Sequence, residues 1–416
     1  MIARNGLLLV VLLLWVAAAS ARVAIVGGTV HPVTGDGPLE GATVLVDGGR
    51  IVAVGVDIAV PEGYERVDAA GRVVTPGFIE PHSQLGLVEI SGEASTVDAA
   101  IEAFRLGPAF DVQYAINPAS TLLPVNRVEG VTRAVVAPGA GNDPLAGWGA
   151  AIRLQGETTV TQPRLALFGN VGTETAEYVG GSRSAVIQRL RLALDEARRF
   201  RPDRYRSEHG DYTRQDMAAL VAFLKSGRPL VLTVHRANEI RQAVALGRDF
   251  GVPVVIHGGT EAWREAALLA EARVPVIVDT LANLPLSYDR LGARIDNATL
   301  LWRAGVRVLL TAEDSHNARL LRQVAGNAVA EGVPWQVVLE AVTRAPAEVY
   351  GLGDGVGTLA AGAPADLVIW NGDPLEVTTW PERVMIDGAW VPMTSRQTRL
   401  LERYRDLEAT VPFGYR

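Results

Sequence analysis

Three short apolar runs in this chain each end abruptly on a histidine. Val73 to Ile79 passes through Pro76-Gly77 and stops at Glu80, His82, Ser83 and Gln84. Pro229 to Val234 stops at His235, and Pro253 to Ile256 stops at His257. A fourth run, Val306 to Thr311, stops at Glu313-Asp314-Ser315-His316. Imidazole and carboxylate are the side chains that hold a borderline divalent metal or move a proton near neutral pH. Runs of four to six apolar residues have the length of buried strands. Ending such runs on His, His and an acid places those groups at one rim of a parallel α/β barrel, where such barrels keep their chemistry.

Between the runs lie segments with helical spacing. Val186, Leu190, Ala193, Leu194 and Ala197 follow Ser182, a residue type that caps helices. Leu321, Val324, Ala325, Ala328 and Val329 follow the Asp314 run, so Asp314 has a competing use as a helix cap. Ahead of the barrel, residues 23–28, 42–49, 51–55, 65–68 and 71–74 read as short strands. Ala140 to Gly149 is rich in glycine but lacks the Gly-Lys-Ser/Thr ending of a phosphate loop, and reads as a loop at the barrel mouth. Phe200 to Thr213, which includes His209, reads as a polar surface insertion.

The order P-G-F-I-E-P-H-S-Q resembles the first barrel strand of the amidohydrolase superfamily, P-G-F/L-I-D-x-H-x-H, with Gln84 standing where the second histidine would be. Gly357 to Trp370 with Asn371-Gly372-Asp373-Pro374, and then Val384 to Gly388, is similar to the closing stretch of the same family. The His235, His257 and Glu313-Asp314-Ser315-His316 contexts resemble its imidazolonepropionase-like branch. The resemblance implies a (β/α)8 barrel over residues 76–353, a small β-sandwich from residues 22–75 plus 354–392, and a helical tail over 393–416. It also implies one divalent metal, zinc by its donors, held by His82 and His235. Asp314 would be a third ligand or the base for water, and His257 would bind the tetrahedral intermediate or protonate the leaving group. Glu313 is the reserve acid. Gln84 could donate its amide oxygen, orient water or fill space. A lysine-bridged pair of metals is not expected, because Lys225, the only lysine, precedes a strand; Glu174 or Glu177 would have to bridge instead.

With 416 residues, 48% of them hydrophobic, the chain can bury a large core and a smaller one. A net charge of -7 without a basic run argues against a nucleic-acid partner. Arg4, the apolar stretch Leu7 to Val16 and Ala19-Ser20-Ala21 read as a secretory signal cleaved after Ala21. Its apolar stretch is short of the ~20 residues of a spanning helix. The expected protein is thus exported, periplasmic or secreted, with no stable membrane partner and no disulfides. It would hydrolyse C–N bonds of small amides or cyclic amides. The competing readings are an inactive homologue kept for binding or structure, and an unrelated barrel hydrolase working through paired carboxylates. Leu400, Leu401, Tyr404 and Leu407 suggest a tail helix packed on the domain or on a second copy in a homo-oligomer.

Overall fold

The computed structural model describes residues 22–35, 37–101, 106–157, 159–205, 212–313 and 315–405. The signal-like residues 1–21, His209, Asp314, Leu407 and the final Pro412-Phe413-Gly414-Tyr415 lie outside them.

The chain opens with strands β1 (Val23–Val30), β2 (Leu39–Asp47), β3 (Arg50–Gly55), β4 (Glu65–Asp68) and β5 (Val73–Pro76). Asp47 and Arg50 pair across Gly48-Gly49, both of which have positive φ. This two-residue turn matches the twist of the strands it joins.

The barrel follows as β6 (Phe78–Ser83), β7 (Val131–Val136), β8 (Leu145–Arg153), β9 (Val160–Asn170), β10 (Leu230–Val234), β11 (Val254–Gly258), β12 (Val276–Val278) and β13 (Val308–Leu310). The chain then returns as β14 (Leu367–Trp370), β15 (Pro381–Ile386) and β16 (Ala389–Trp390). β14 lies antiparallel to β5, with Leu367 opposite Pro76, so the two flanks complete one eight-stranded sheet. The mixed α/β fold, with a barrel and a second sheet built from both ends, is as the sequence implied; the expected sandwich takes the form of that single sheet.

One barrel strand departs from the expected pattern. β8 runs antiparallel to both β7 and β9, while the remaining neighbours are parallel. The glycine-rich segment is therefore a loop only as far as Pro144 and a strand beyond it, which corrects the loop reading of residues 140–149. Small residues allow the close approach. A Cβ on Gly149 would lie 2.3 Å from Phe168 and 2.7 Å from the Val136 carbonyl oxygen.

Helices cover the outside of the barrel. In helix Arg183–Arg199 the buried residues are Val186, Leu190, Ala193, Leu194 and Ala197, the five that set its spacing in the sequence. Ser182 occupies the position before the helix, yet its hydroxyl makes no capping bond. Lys225 sits in the last turn of helix Arg214–Ser226 and faces solvent. At the other end of the chain, helix Arg396–Tyr404 is closed by a Ser395–Thr398 capping box and buries none of its residues. The helix touches the domain along helix Leu122–Arg127, with Ala119, Thr121 and Pro124 facing Arg399, Leu400 and Arg403 across a groove.

A buried ionic clasp joins the barrel to the second sheet. Arg133 of β7 reaches Asp366 at 2.5 Å and Asp387 at 3.0 Å, and both Arg133 and Asp366 are buried. Removing the guanidinium would leave Asp366 buried without its counter-charge. Arg133→Ala is expected to cost about 3 kcal/mol, read as a lower urea midpoint. A change below ~0.5 kcal/mol would mean that the clasp adds nothing net.

Candidate active site

The barrel path begins at β6 and ends at β13, and a carboxyl bridges these two. Glu80, fully buried on β6, accepts the Thr311 hydroxyl, the Ala312 amide at 3.1 Å and the His82 amide at 3.1 Å. Thr311 and Ala312 directly follow β13. Burial pushes the Glu80 carboxyl up to about 8, against the pull of the three donors. Tyr350 donates its hydroxyl to the Pro81 carbonyl at 2.9 Å and so supports the same strand.

This seam fixes His82. Its ring stacks on His257, with centroids 3.6 Å apart and planes 12° from parallel. His257 lies on β11 directly opposite Thr233 of β10, whose hydroxyl meets His257 Nδ1 at 2.9 Å. His257 Nε2 then approaches Glu313 Oε1 at 3.4 Å, a charge contact and not an aligned hydrogen bond. His235 follows β10. Its Nδ1 meets the Thr260 hydroxyl at 2.9 Å, and its ring occupies space that a Cβ on Gly258 would enter at 2.6 Å. Only glycine lets the β11 backbone lie that close to the imidazole.

Glu313 has φ +55, in the left-handed region that is unfavourable for a residue with a side chain. Thr311 Oγ1 accepts its amide at 2.9 Å and holds this turn. The turn brings the Glu313 carboxylate to the histidines.

The electrostatics are consistent across the cluster. Burial, then the neighbouring His257, drives His82 well below the ordinary imidazole range. Burial, then the positive charge of Arg290, lowers His235 to about 4. Burial alone would raise Glu313, but His257, Arg290 and His82 outweigh it and hold the carboxyl at about 2. At neutral pH the rim therefore offers neutral imidazoles on His82 and His235 beside an anionic carboxylate. That combination can accept a proton or hold a cation.

The structure gathers His82, His235, His257 and Glu313 at the C-terminal rim of the barrel strands. Glu313 is the acid seen against His257, Asp314 lying outside the described residues. Gln84 is turned toward the loop after β7: its Nε2 lies 3.0 Å from where a Cβ on Gly139 would stand. Glu174 and Glu177 are exposed on helix Thr173–Tyr178.

The donor types suit a divalent metal. His82 Nδ1 and His257 Nε2 are buried without hydrogen-bond partners, and a cation would satisfy such nitrogens. Among the described residues, however, no three His, Asp or Glu side chains are already arranged around one point.

Sequence reading missed four participants. Asp279, raised to about 6 chiefly by burial, directly follows β12 and could have been found by the same strand-end rule. Its run, Val276-Ile277-Val278, is short enough to escape notice. Thr233 and Thr260 pass as ordinary strand and loop residues. Arg290 lies in a loop with no motif at all.

Comparisons with known proteins agree with this architecture. A model of the amidohydrolase family matches residues 244–391. The amidohydrolase tasK of Hapsidospora irregularis is 24% identical over 83% of this chain, which spans only 39% of that longer protein. The imidazolonepropionase of Acidiphilium cryptum is 25% identical, covering 83% of this chain and 91% of its own. An amidohydrolase from Thermotoga maritima MSB8, known as a crystal structure, superposes with a TM-score of 0.81 at 26% identity, over 89% of this chain and 99% of its own. Shared architecture over nearly the whole of that structure, the family match from residue 244 through the returning strands, and the strand-end histidines lead to one conclusion: the chain belongs to the amidohydrolase superfamily.

Proposed function

We propose that this chain is an exported, metal-dependent hydrolase of C–N bonds in small amides or cyclic amides. The observation that carries the reading is the contact of neutral His82 with His257 and of His257 with Glu313 at the barrel rim, with His235 beside them. Export rests on residues 1–21, whose sequence has the plan of a cleavable signal.

In the reaction, the oxygen of water bonds to the carbonyl carbon, the C–N bond breaks, and a proton from that water reaches the departing nitrogen. A divalent metal, zinc by the character of the donors, would be held by His82 and His235. Bound there, it would polarise the carbonyl and lower the pKa of water. Asp314, or Glu313 in its place, takes the water's proton. His257, held by Thr233, delivers a proton to the nitrogen or steadies the oxyanion. Of these groups, His257 and Glu313 are already in contact.

Gln84 in place of a histidine, with no preassembled three-residue cluster among the described residues, favours a second reading: an inactive homologue that binds a ligand. Elemental analysis of the mature protein separates the two. About one zinc per chain, lost in a His82→Ala, His235→Ala double variant that keeps its circular dichroism, is the expected result. A folded wild type that neither carries zinc nor takes it up would overturn the metal-dependent reading.

A further inference from the structure

A small cavity opens beside the histidine cluster and shares His235 and Glu313 with it. His235, Thr260, Asp279 and Glu313 line it together with Arg290. The Arg290 charge reaches the site, since it acts on His235, Asp279 and Glu313. Yet among the described residues its guanidinium has no ion pair and no hydrogen bond. Its neighbours contrast with it. Arg294 is paired to Asp296 through two bonds, one of 2.7 Å, and Arg183 is shared between Glu239 and Asp289.

Arg290 is also held in place. It ends the short turn Tyr288–Arg290, and the preceding residue, Asp289, is buried. Asp289 accepts the Thr173 amide at 2.8 Å, the Thr173 hydroxyl at 2.6 Å and the Arg183 guanidinium. Three donors from another part of the barrel fix the backbone that carries Arg290. An unpaired guanidinium on an anchored turn is organised for a planar oxyanion, because its fork of donors matches a carboxylate. Just outside, Leu281, Leu284, Leu286 and Leu291 are exposed along the same loop. An apolar body attached to that anion would find contact there.

We infer that Arg290 is a specificity-determining residue that binds a carboxylate on the substrate, so that the preferred substrates are N-acyl amino acids or similar amides with a free carboxylate and an apolar side chain. This inference rests on the hydrolase reading for its chemistry, but its test is a binding measurement. The competing role for Arg290 is to balance the charge of Glu313 and Asp279. Such a role would treat charged and neutral ligands alike.

The experiment is titration calorimetry at neutral pH with N-acetyl-L-leucine and N-acetyl-L-leucinamide, using the mature wild type, Arg290→Gln and Arg290→Lys. The wild type is expected to bind the carboxylate at least about tenfold more tightly than the amide. Arg290→Gln should bind both alike, and Arg290→Lys should keep part of the preference. Asp289→Asn, which weakens the anchor without touching the ligand, should reduce the preference with Arg290 intact. Equal binding of the two ligands by wild type, no binding of either, or a preference that survives in Arg290→Gln would overturn the inference. Hydrolysis is assayed separately on the same pair. Carboxylate-selective binding without turnover would count against the hydrolase reading alone, and turnover without selectivity against Arg290 alone.

Discussion

Replacing His257 by alanine is expected to lower hydrolysis by about 10²–10⁴-fold, the range for loss of a positioned proton-transfer group, with the barrel still folded. Among the described residues His257 touches two other members of the cluster, stacking on His82 and facing Glu313. Its loss should also change the shape of the pH profile. Glu313 is held at about 2 against burial largely because His257 stands beside it. Without that neighbour the carboxyl pKa rises, with Arg290 and His82 left to oppose burial. A depressed carboxyl stays ionised above its folded pKa, so the acidic limb of kcat/KM in the variant should move to higher pH. A full pH profile with zinc content measured in parallel tests this. Turnover within about threefold of wild type, or an acidic limb that does not move, would remove His257 from the chemistry.

That cluster is only partly legible in the sequence. His82, His235 and His257 stood out because each ends an apolar run, and a buried strand has no packing reason to finish on imidazole. The fold followed from the same runs together with the paired flanks around residues 73 and 367. The contacts were not legible. Sequence spacing gives no distance between strands far apart in the chain, so the stacking of His82 on His257 could not be foreseen. Nor could the reversal of β8, because glycine-rich segments fit a loop as readily as a strand edge that must approach Phe168 closely. Arg290 depends on a turn fixed by Asp289, Thr173 and Arg183, three positions with no common pattern in the sequence.

In the sequence Glu80 is one polar residue among several at a strand end, and its structural role carries the largest expected stability effect. Glu80→Leu would leave the Ala312 and His82 amides without their acceptor, and the Thr311 hydroxyl with only the His82 carbonyl at 3.2 Å. Unsatisfied buried donors cost about 1–3 kcal/mol each, so two of them give an expected loss on the order of 2–6 kcal/mol. The loss should come with an opened seam between β6 and β13.

The same carboxyl should tie stability to pH. Its folded value of about 8 exceeds the ordinary 4.5, so the folded state holds a proton that the unfolded state has released. Stability from that proton is complete below 4.5 and is lost as pH rises through 8. Lowered histidines act in the opposite direction: His235, at about 4 against an ordinary 6.5, removes stability as pH falls through that interval. Above 6.5 the His235 effect is spent, which leaves Glu80 exposed to measurement. Between there and 8, stability should fall by about 2 kcal/mol, at 1.36 kcal/mol per unit. Glu80→Gln, which cannot ionise, should be flat over that window even if it is less stable at its lower end. Chemical denaturation at several pH values reads both slopes. A Glu80→Gln slope equal to that of wild type would assign the pH dependence to another group and leave Glu80 as an ionised, three-bonded strap across the barrel seam.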